Sequence, residues 1–154
     1  MKKQSGPDDD WQRIWLSARD KDWSSLVLVP NDSSVDIVAF AETLARTGRV
    51  HADWPVRVIN GKGVQLGEVQ QLIETITAAT ARGERAIVPV DPVADNPAAI
   101  AILRGTSAAL LILSLGESFL NAAQETIETI GRDRIIGSVV VKPADASARG
   151  TTPA

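Results

Sequence analysis

Apolar residues cluster in five short runs, and nearly every position within each run is apolar. The runs occupy residues 25–30, 56–60, 85–91, 109–115 and 135–141. They are rich in Val, Ile and Leu and do not alternate with polar residues. This pattern is typical of strands that are covered on both faces, as in a parallel sheet between two layers of helices. We therefore predict a mostly parallel sheet of five strands.

Segments with the apolar spacing of a helix separate these runs, so strand and helix alternate along the chain. Asn31, Asp32 and Ser33 offer capping oxygens before the first segment, and Asn96 can cap the third, where Pro97 suits the first helical position. The alternation predicts an α/β fold, a three-layer αβα sandwich with right-handed crossovers. The predicted helices are 34–46, 66–82, 97–103 and 118–130.

An additional helix is predicted near the N-terminus. Acidic residues 8–10 suit its first turn, and Trp11, Ile14, Trp15 and Ala18 then share one face. The two tryptophans either pack on the domain's own core or form a surface for a partner, since tryptophan is enriched at the centres of interfaces. We take Trp11 and Trp15 as candidate partner-binding residues.

The chain has 154 residues, a length that suits one hydrophobic core. We expect a single α/β domain over residues 9–142, with disordered polar tails at 1–8 and 143–154. The start of the chain lacks the apolar stretch of a secretory signal, and no apolar run is long enough to span a bilayer. We expect a cytoplasmic protein without direct membrane insertion.

Composition removes several kinds of chemistry. The 16 Lys and Arg residues are outnumbered by 19 Asp and Glu, and the net charge of −3 argues against a nucleic-acid partner. The absence of cysteine excludes thiol nucleophiles and thiolate metal sites, and the single histidine, His51, excludes a site with several imidazoles.

Polar residues follow the predicted strands, at the sheet edge where open α/β folds bind ligands. The same residue types also cap helices, so this rim fits a purely structural role as well. The Gly61–Gly63 stretch, GKG, lacks the glycine spacing and the Ser or Thr of a phosphate-binding loop. The candidate rim residues are Asn31, Asp32, Ser33, Ser34, Asp91 and Asp95.

Two stretches carry a resemblance to a known family. The stretch SLVLVPNDSSVDIVAFAETLARTG resembles its first strand, loop and helix, and residues 85–141 resemble its later strands and helices. Asp91 and Pro92 match its acidic-proline motif, whose carboxylate would serve Mg²⁺. Over residues 23–141 the chain thus resembles the cytoplasmic tyrosine-kinase-like ATPase domains of bacterial capsule and exopolysaccharide assembly, relatives of the partition ATPases.

The sequence departs from this family where the family's catalysis resides. VPNDSSVD replaces the Gly-rich, Lys-containing loop, VINGKG replaces a second acidic motif, and the chain has no tyrosine. Losing that lysine and those glycines removes the groups on which phosphoryl transfer relies. The resemblance implies a degenerate, non-catalytic module without cofactor or metal, acting in exopolysaccharide biosynthesis or export. Its expected partner is a protein, either a membrane-bound polysaccharide co-polymerase or a second copy.

Two alternatives stay open at this point. The chain also resembles response-regulator receiver domains, in which Asp32 would help to hold Mg²⁺, Asp91 would accept a phosphoryl group, and Ser114 and Lys142-Pro143 would complete the site. An enzyme acting on a small molecule is the other alternative, although no nucleophile and base are paired in the sequence. Strand order separates the two resemblances: 2-3-1-4-5 is expected for the ATPase-like fold and 2-1-3-4-5 for a receiver.

Overall fold

The computed structural model describes residues 7–116 and 119–141, and it has the predicted α/β architecture. Its strands form one sheet in the order β2-β3-β1-β4-β5, and all neighbouring strands pair in parallel. This is the order expected for the ATPase-like fold, and it differs from the order of a receiver domain. The strands are β1 (Ser25–Pro30), β2 (Val56–Val58), β3 (Arg85–Pro89), β4 (Ala108–Ser114) and β5 (Ile135–Val141).

Helices cover both faces of the sheet, which confirms the three-layer arrangement. Helices α1 and α2 pack on one face, and α3, α4 and α5 pack on the other. Single 3₁₀ turns precede α3 and β5, at Leu66–Glu68 and Arg132–Arg134. The helices are α1 (Pro7–Arg19), α2 (Ile37–His51), α3 (Val69–Ala81), α4 (Ala98–Arg104) and α5 (Phe119–Ile130).

The central strand β1 explains why the apolar runs lack alternation. Successive side chains of a strand point to opposite faces. Leu26 and Leu28 therefore enter the core beneath α1 and α2, whereas Val27 and Val29 enter the core beneath α3, α4 and α5. All six residues of β1 are buried. A polar side chain anywhere between Leu26 and Val29 would lie in one of these two cores.

Strand β5 differs from this pattern because it lies at the edge of the sheet. Its residues are half-buried or exposed, and the side chain of Val140 is 55% exposed. The apolar sequence of this strand predicts cover on both faces, and that expectation is wrong for β5. An apolar run reports strand tendency, but it does not report how many neighbours the strand has.

The two N-terminal tryptophans occupy different environments. Trp15 is 0% exposed and lies in the core beneath α1 and α2, where its ring meets that of Trp23 edge-on at 6.3 Å. Trp11 is half-buried, and its ring meets that of Phe40 at 4.6 Å. Trp15 thus packs within the chain's own core, and only Trp11 of the pair reaches the surface.

Helix α2 begins later than the sequence suggests. It starts at Ile37, and the carboxylate of Asp36 caps it by accepting a hydrogen bond from the Ala39 amide. Asn31, Asp32 and Ser33 were equally plausible caps because they are all of the preferred residue types. None of these three caps the helix, since they lie in the loop before Asp36.

Predictions for the two ends of the chain fall mainly on residues that the structure does not describe. The predicted tail at 143–154 lies outside the described residues, as do positions 1–6 of the N-terminal tail and the Lys142-Pro143 pair. Within the described part of the chain, no helix combines the length and apolar character needed to cross a membrane.

Close packing between α1 and α2 gives a test of this core. A Cβ added at Gly48 would lie 2.8 Å from Cη2 and Cζ3 of the Trp15 ring. We predict that Gly48→Ala lowers the free energy of unfolding by about 1–3 kcal/mol, because an overpacked core must shift the ring or the helix. Urea unfolding followed by tryptophan fluorescence measures this difference.

Gly67→Ala is the matched control, since a Cβ at Gly67 meets no atom within 4 Å. We expect this variant to unfold within about 0.5 kcal/mol of the wild type. Equal stability of the Gly48 and Gly67 variants would contradict the packing of α1 on α2 described above.

Candidate functional site

The connections of the central strand create a crevice at its carboxyl end. Strand β1 is followed by α2 on one face of the sheet, whereas its neighbours β3 and β4 are followed by α4 and α5 on the other face. Loops that diverge in this way open a crevice in which α/β folds bind ligands. Most of the polar residues predicted from the sequence lie in these loops.

Asn31 ties the end of β1 to the end of β4. Its side-chain Nδ2 donates to the Ser114 carbonyl at 3.1 Å, and its Oδ1 accepts from the Ser114 amide at 2.8 Å. The Asn31 amide donates to the Ile112 carbonyl, which continues the pairing of the two strands. Asn31 and Ser114 are both buried, so each polar group needs the partner that the other supplies.

The next residues of this loop bond to one another. The Asp32 carboxylate accepts from the Ser34 amide at 2.9 Å and also from the Ser34 hydroxyl. The Ser34 hydroxyl lies 3.0 Å from the Ser114 hydroxyl. A hydroxyl group has one proton, so when Ser34 donates to Asp32, Ser114 donates to Ser34. Asn31, Asp32, Ser34 and Ser114 therefore form one hydrogen-bonded network, which we call the β1 network.

Asp91 belongs to a second network, after β3. Its Oδ2 accepts from the Gly63 amide at 2.8 Å and from the Asn96 side-chain amide at 2.9 Å. Asn96 also donates to the Val64 carbonyl and accepts from the Ala98 amide, where α4 begins. We call these contacts the β3 network. They fasten the loop after β2 to the loop after β3.

The structure thus places the predicted rim residues in two separate networks and not in one site. Asn31, Asp32 and Ser34 belong to the β1 network and Asp91 to the β3 network, while Ser33 and Asp95 are exposed. In the described ranges, no three acidic or histidine side chains are grouped closely enough to hold a metal ion.

His51 is exposed at the C-terminal end of α2. The chain then enters β2, so this imidazole lies towards the amino edge of the sheet, opposite the rim.

Three residues of the site were not singled out for these roles from the sequence. Asp36 caps α2, Ser114 joins the β1 network, and Asn96 links Asp91 to the loop after β2. The signal for Asp36 was present, because it is an N-cap residue type immediately before the apolar stretch Ile37–Ala41. Asn96 was expected as a cap of the third helix, and it does accept from the Ala98 amide. Its bond to Val64 and the bonds of Ser114 to Asn31 left no local signal, because they join positions 32 and 83 residues apart.

A cleft of about 370 Å³ opens beside Asn31, between the loop after β3 and α5. Val93 and Ala94 line the cleft on the side of the β3 loop, and the exposed residues Glu125 and Glu128 line it on the side of α5. The mouth of the cleft is therefore acidic, and the described residues that line it include no cationic side chain for an anionic ligand.

Among the described residues, the shortest ion-pair contacts lie at the opposite, amino edge of the sheet. Glu84 accepts hydrogen bonds from Arg57 Nε at 2.9 Å and from Arg82 Nε at 3.2 Å. The hydrogen bond from Arg82, followed by the charges of Arg82 and Arg57, holds the pKa of Glu84 below its usual value despite some desolvation. This cluster adjoins the start of β3 and is separated from the rim by the length of the strand.

Comparison with known proteins gives a likeness of fold. No protein-family model matches the sequence, and no curated protein matches it significantly. Among solved structures, the chimerical protein CapA2B2 is similar, with a TM-score of 0.70 and 12% identity over 88% of this chain and 85% of that one. The BceF tyrosine kinase domain is similar with a TM-score of 0.59 and 12% identity, over 88% of this chain and 75% of that one. The chain therefore shares the fold of a tyrosine kinase domain.

The clasp between β1 and β4 can be tested directly. Asn31→Ala removes both side-chain hydrogen bonds to the buried Ser114 backbone. We predict a loss of about 1–3 kcal/mol in the free energy of unfolding, because buried polar groups then lack partners. Ser33→Ala, at an exposed neighbouring position, is expected to change stability by less than about 0.5 kcal/mol. Equal urea midpoints for the two variants would contradict the clasp.

Proposed function

We propose that this chain is a non-catalytic, protein-binding module built on the fold of a tyrosine kinase domain, a pseudo-ATPase without a working nucleotide site. The proposal rests on the way in which the N-terminus of α2 is capped. There, the helix that follows the central strand is capped by the carboxylate of Asp36.

A phosphate group would compete for the same backbone donors. Helix N-termini bind phosphate through free amide groups and the positive end of the helix dipole. Here Asp36 already accepts from the Ala39 amide, and Asp32 already accepts from the Ser34 amide. The loop over residues 31–36 contains no Lys or Arg to offset these two negative charges. A phosphate bound here would be repelled by both carboxylates. Two like unit charges about 4 Å apart repel by about 1 kcal/mol in water, and by more near a protein surface.

The second acidic position supports the same conclusion. Asp91 matches the acidic-proline motif whose carboxylate would serve Mg²⁺, yet its Oδ2 is engaged by Gly63 and Asn96. The contact with Gly63 joins the loops after β2 and β3, and the contact with Asn96 orders the loop after β3. Both are contacts of a structural residue. Asp32 lies in the other network, and residues 7–116 and 119–141 contain no group of three acidic or histidine side chains close enough to hold a metal ion. These features favour a structural role for the rim carboxylates.

The strand order weighs against the receiver alternative. A receiver domain has the order 2-1-3-4-5, whereas β3 lies between β2 and β1 in this chain. The phosphoacceptor role of Asp91 therefore has no support from the fold.

The partner in this proposal is a protein. The resemblance of residues 23–141 to polysaccharide-assembly domains suggests a membrane-bound polysaccharide co-polymerase, or a second copy of this chain, in exopolysaccharide biosynthesis or export. A cytoplasmic location is part of the same proposal. Trp11 is the candidate contact residue on α1, because it is half-buried and reaches the surface whereas Trp15 does not.

The proposal predicts that the protein does not bind nucleotide. We expect no calorimetric heat and no change in tryptophan fluorescence when the concentration of Mg²⁺-ATP or Mg²⁺-ADP is raised to about 1 mM. A dissociation constant of about 1 mM corresponds to a binding free energy of about −4 kcal/mol, so any nucleotide binding is expected to be weaker than this. Acetyl phosphate with Mg²⁺ serves as a parallel control for the receiver alternative, and it is expected to have no effect.

Saturable binding of either nucleotide in the micromolar range would refute the proposal. Asp32→Asn/Asp36→Asn is the informative variant, because asparagine keeps the helix cap while the two charges are removed. We expect weak pyrophosphate binding to emerge in this variant. The control Asp20→Asn/Asp133→Asn, which also removes two exposed charges, should not bind.

A further inference from the structure

The cleft between the loop after β3 and α5 combines an apolar wall with an acidic mouth. Val93 and Ala94 of the loop and Ile100 of α4 supply aliphatic side chains. Glu125 and Glu128 line the side of α5, and both are exposed. We call this space of about 370 Å³ the acidic cleft. Its lining suits an occupant that is both aliphatic and cationic.

The other polar groups of the cleft wall are already engaged. Asn31 belongs to the β1 network, and the hydroxyls of Thr126 and Thr129 each donate at 2.8 Å to a carbonyl of the preceding helical turn. Among the described residues, neither Glu125 nor Glu128 forms an ion pair. The two carboxylates are therefore the polar groups that the cleft offers to an occupant.

The distribution of charge along the chain concentrates acidity around this cleft. Segments 22–45, 86–103 and 105–131 contain the loops after β1, β3 and β4 together with α5. Every charged residue in these segments is Asp or Glu, although the whole chain carries 16 Lys and Arg against 19 Asp and Glu. The acidic residues around the cleft therefore have no basic neighbour within their own segments.

Basic residues of the adjoining segments lie away from the cleft mouth. Helices α4 and α5 run from the carboxyl edge of the sheet to its amino edge, so Arg104 and Arg132 lie at the amino edge. Lys62 follows β2, which β3 separates from β1. Over residues 7–116 and 119–141, no ion pair joins any of these cations to Glu125 or Glu128. The carboxylates of the acidic cleft are thus open to the cations of a partner.

We propose that the acidic cleft binds a basic segment of a partner protein, in which Lys or Arg residues alternate with aliphatic residues. The aliphatic parts of this segment pack on Val93, Ala94 and Ile100, and its cationic groups reach Glu125 and Glu128. Lysine suits this arrangement, because its aliphatic stem can lie on apolar surface while its ammonium group stays in water. The inference deepens the proposed function and rests on it in taking a protein as the partner.

The spread of acidic residues favours a polypeptide over a small cation. Asp32 lies in the loop after β1, and Asp95 lies in the loop after β3. Glu125 and Glu128 lie on α5. One exposed ion pair contributes little, so an occupant gains affinity by meeting several of these carboxylates at once. Nucleic acids and anionic lipid surfaces do not fit, because the same carboxylates repel them.

A second copy of this chain fits the cleft less well. Arginines at the amino edge of its sheet are already engaged: Arg57 and Arg82 contact Glu84, and Arg134 donates to the Leu103 carbonyl at 2.8 Å. To meet the acidic cleft of another copy, these side chains would exchange one partner for another. A basic segment with uncommitted cations has no such cost, so charge selects it as the occupant.

The probe for this proposal is the peptide Lys-Val-Lys-Leu-Lys-Val-Lys with a fluorescent label, titrated with the full chain. We expect saturable anisotropy, with weaker binding as salt is raised, because salt screens exposed charges. Replacing every lysine of the peptide with glutamate is expected to weaken binding at least about tenfold. In an amide nuclear magnetic resonance titration, the signals of Ala94 and Glu125 should shift, and that of Glu74 on α3 should not.

Two double variants with the same net charge separate the cleft from general acidity. Glu125→Gln/Glu128→Gln removes both carboxylates of the cleft and is expected to weaken binding at least about fivefold. Glu42→Gln/Glu74→Gln removes two exposed carboxylates on α2 and α3, and is expected to bind within about twofold of the wild type. Circular dichroism and urea unfolding establish that both variants are folded.

Three results would overturn the inference: no saturable binding at about 1 mM peptide, equal binding of the glutamate peptide, or equal affinity of the two double variants. Spermidine that competes as well as the unlabelled peptide would assign the cleft to a small cation and overturn it. Sedimentation showing a dimer that Glu125→Gln/Glu128→Gln dissociates would overturn it in favour of a second copy.

Failure of this inference can be told apart from failure of the proposed function, because nucleotide binding is measured in a separate titration. If neither the lysine peptide nor Mg²⁺-ATP binds, only the inference about the acidic cleft is overturned. If Mg²⁺-ATP binds in the micromolar range, the proposed function is overturned whatever the peptide does.

Discussion

The burial of β1 on both faces is the constraint on which the rest of the structure depends. All six residues of β1 are buried, with two hydrophobic layers above and below the strand and β3 and β4 on either side. Between Leu26 and Val29 such a strand has no room for a polar side chain, so polar chemistry at its carboxyl end begins at Asn31. At its amino end, the buried Ser25 side chain accepts a hydrogen bond from the Ser107 amide. There the chain must still satisfy its backbone, and the Asn31 side chain does so by clasping Ser114 at the end of β4. The positions of Asp32 and Ser34 in the β1 network follow from this junction.

The same constraint explains why the fold does not depend on the composition of the loop after β1. Stability comes from the apolar layers, so the loop after β1 is free to vary as long as it connects β1 to α2. In this chain it closes upon itself: Asp32 bonds to Ser34, and Asp36 caps α2. The likeness to a tyrosine kinase domain, at 12% identity, shows the fold alone. Any inference about activity therefore depends on these local contacts. In the proposed function, these contacts serve structure in place of phosphate binding.

Local sequence patterns predicted the helices and strands well, but they predicted few of the contacts between residues that are distant in the sequence. The bounds of β1 and β5 agree with the apolar runs, because strand tendency depends on neighbouring residues. The Asn31–Ser114 clasp joins positions 83 residues apart, so no local pattern contains it. Helical spacing places Trp11 and Trp15 on one face but does not say that only Trp15 would be fully enclosed. The run of valines in β5 did not reveal its partial exposure, since such a run looks the same at the edge and at the centre of a sheet. Its edge position was contained only in the strand orders that the two resemblances implied.

The central claim is that the Ala39 amide at the N-terminus of α2, and the Ser34 amide in the loop before it, are already occupied by the chain's own carboxylates. The most direct measurement is an amide nuclear magnetic resonance titration of the ¹⁵N-labelled protein with Mg²⁺-ADP, in which the Ser34 and Ala39 signals are followed. The account predicts that neither signal moves up to about 1 mM nucleotide, because Asp32 and Asp36 hold these two amides. A saturable shift of both signals, with the remaining rim unchanged, would show that phosphate displaces the carboxylates and would contradict the account.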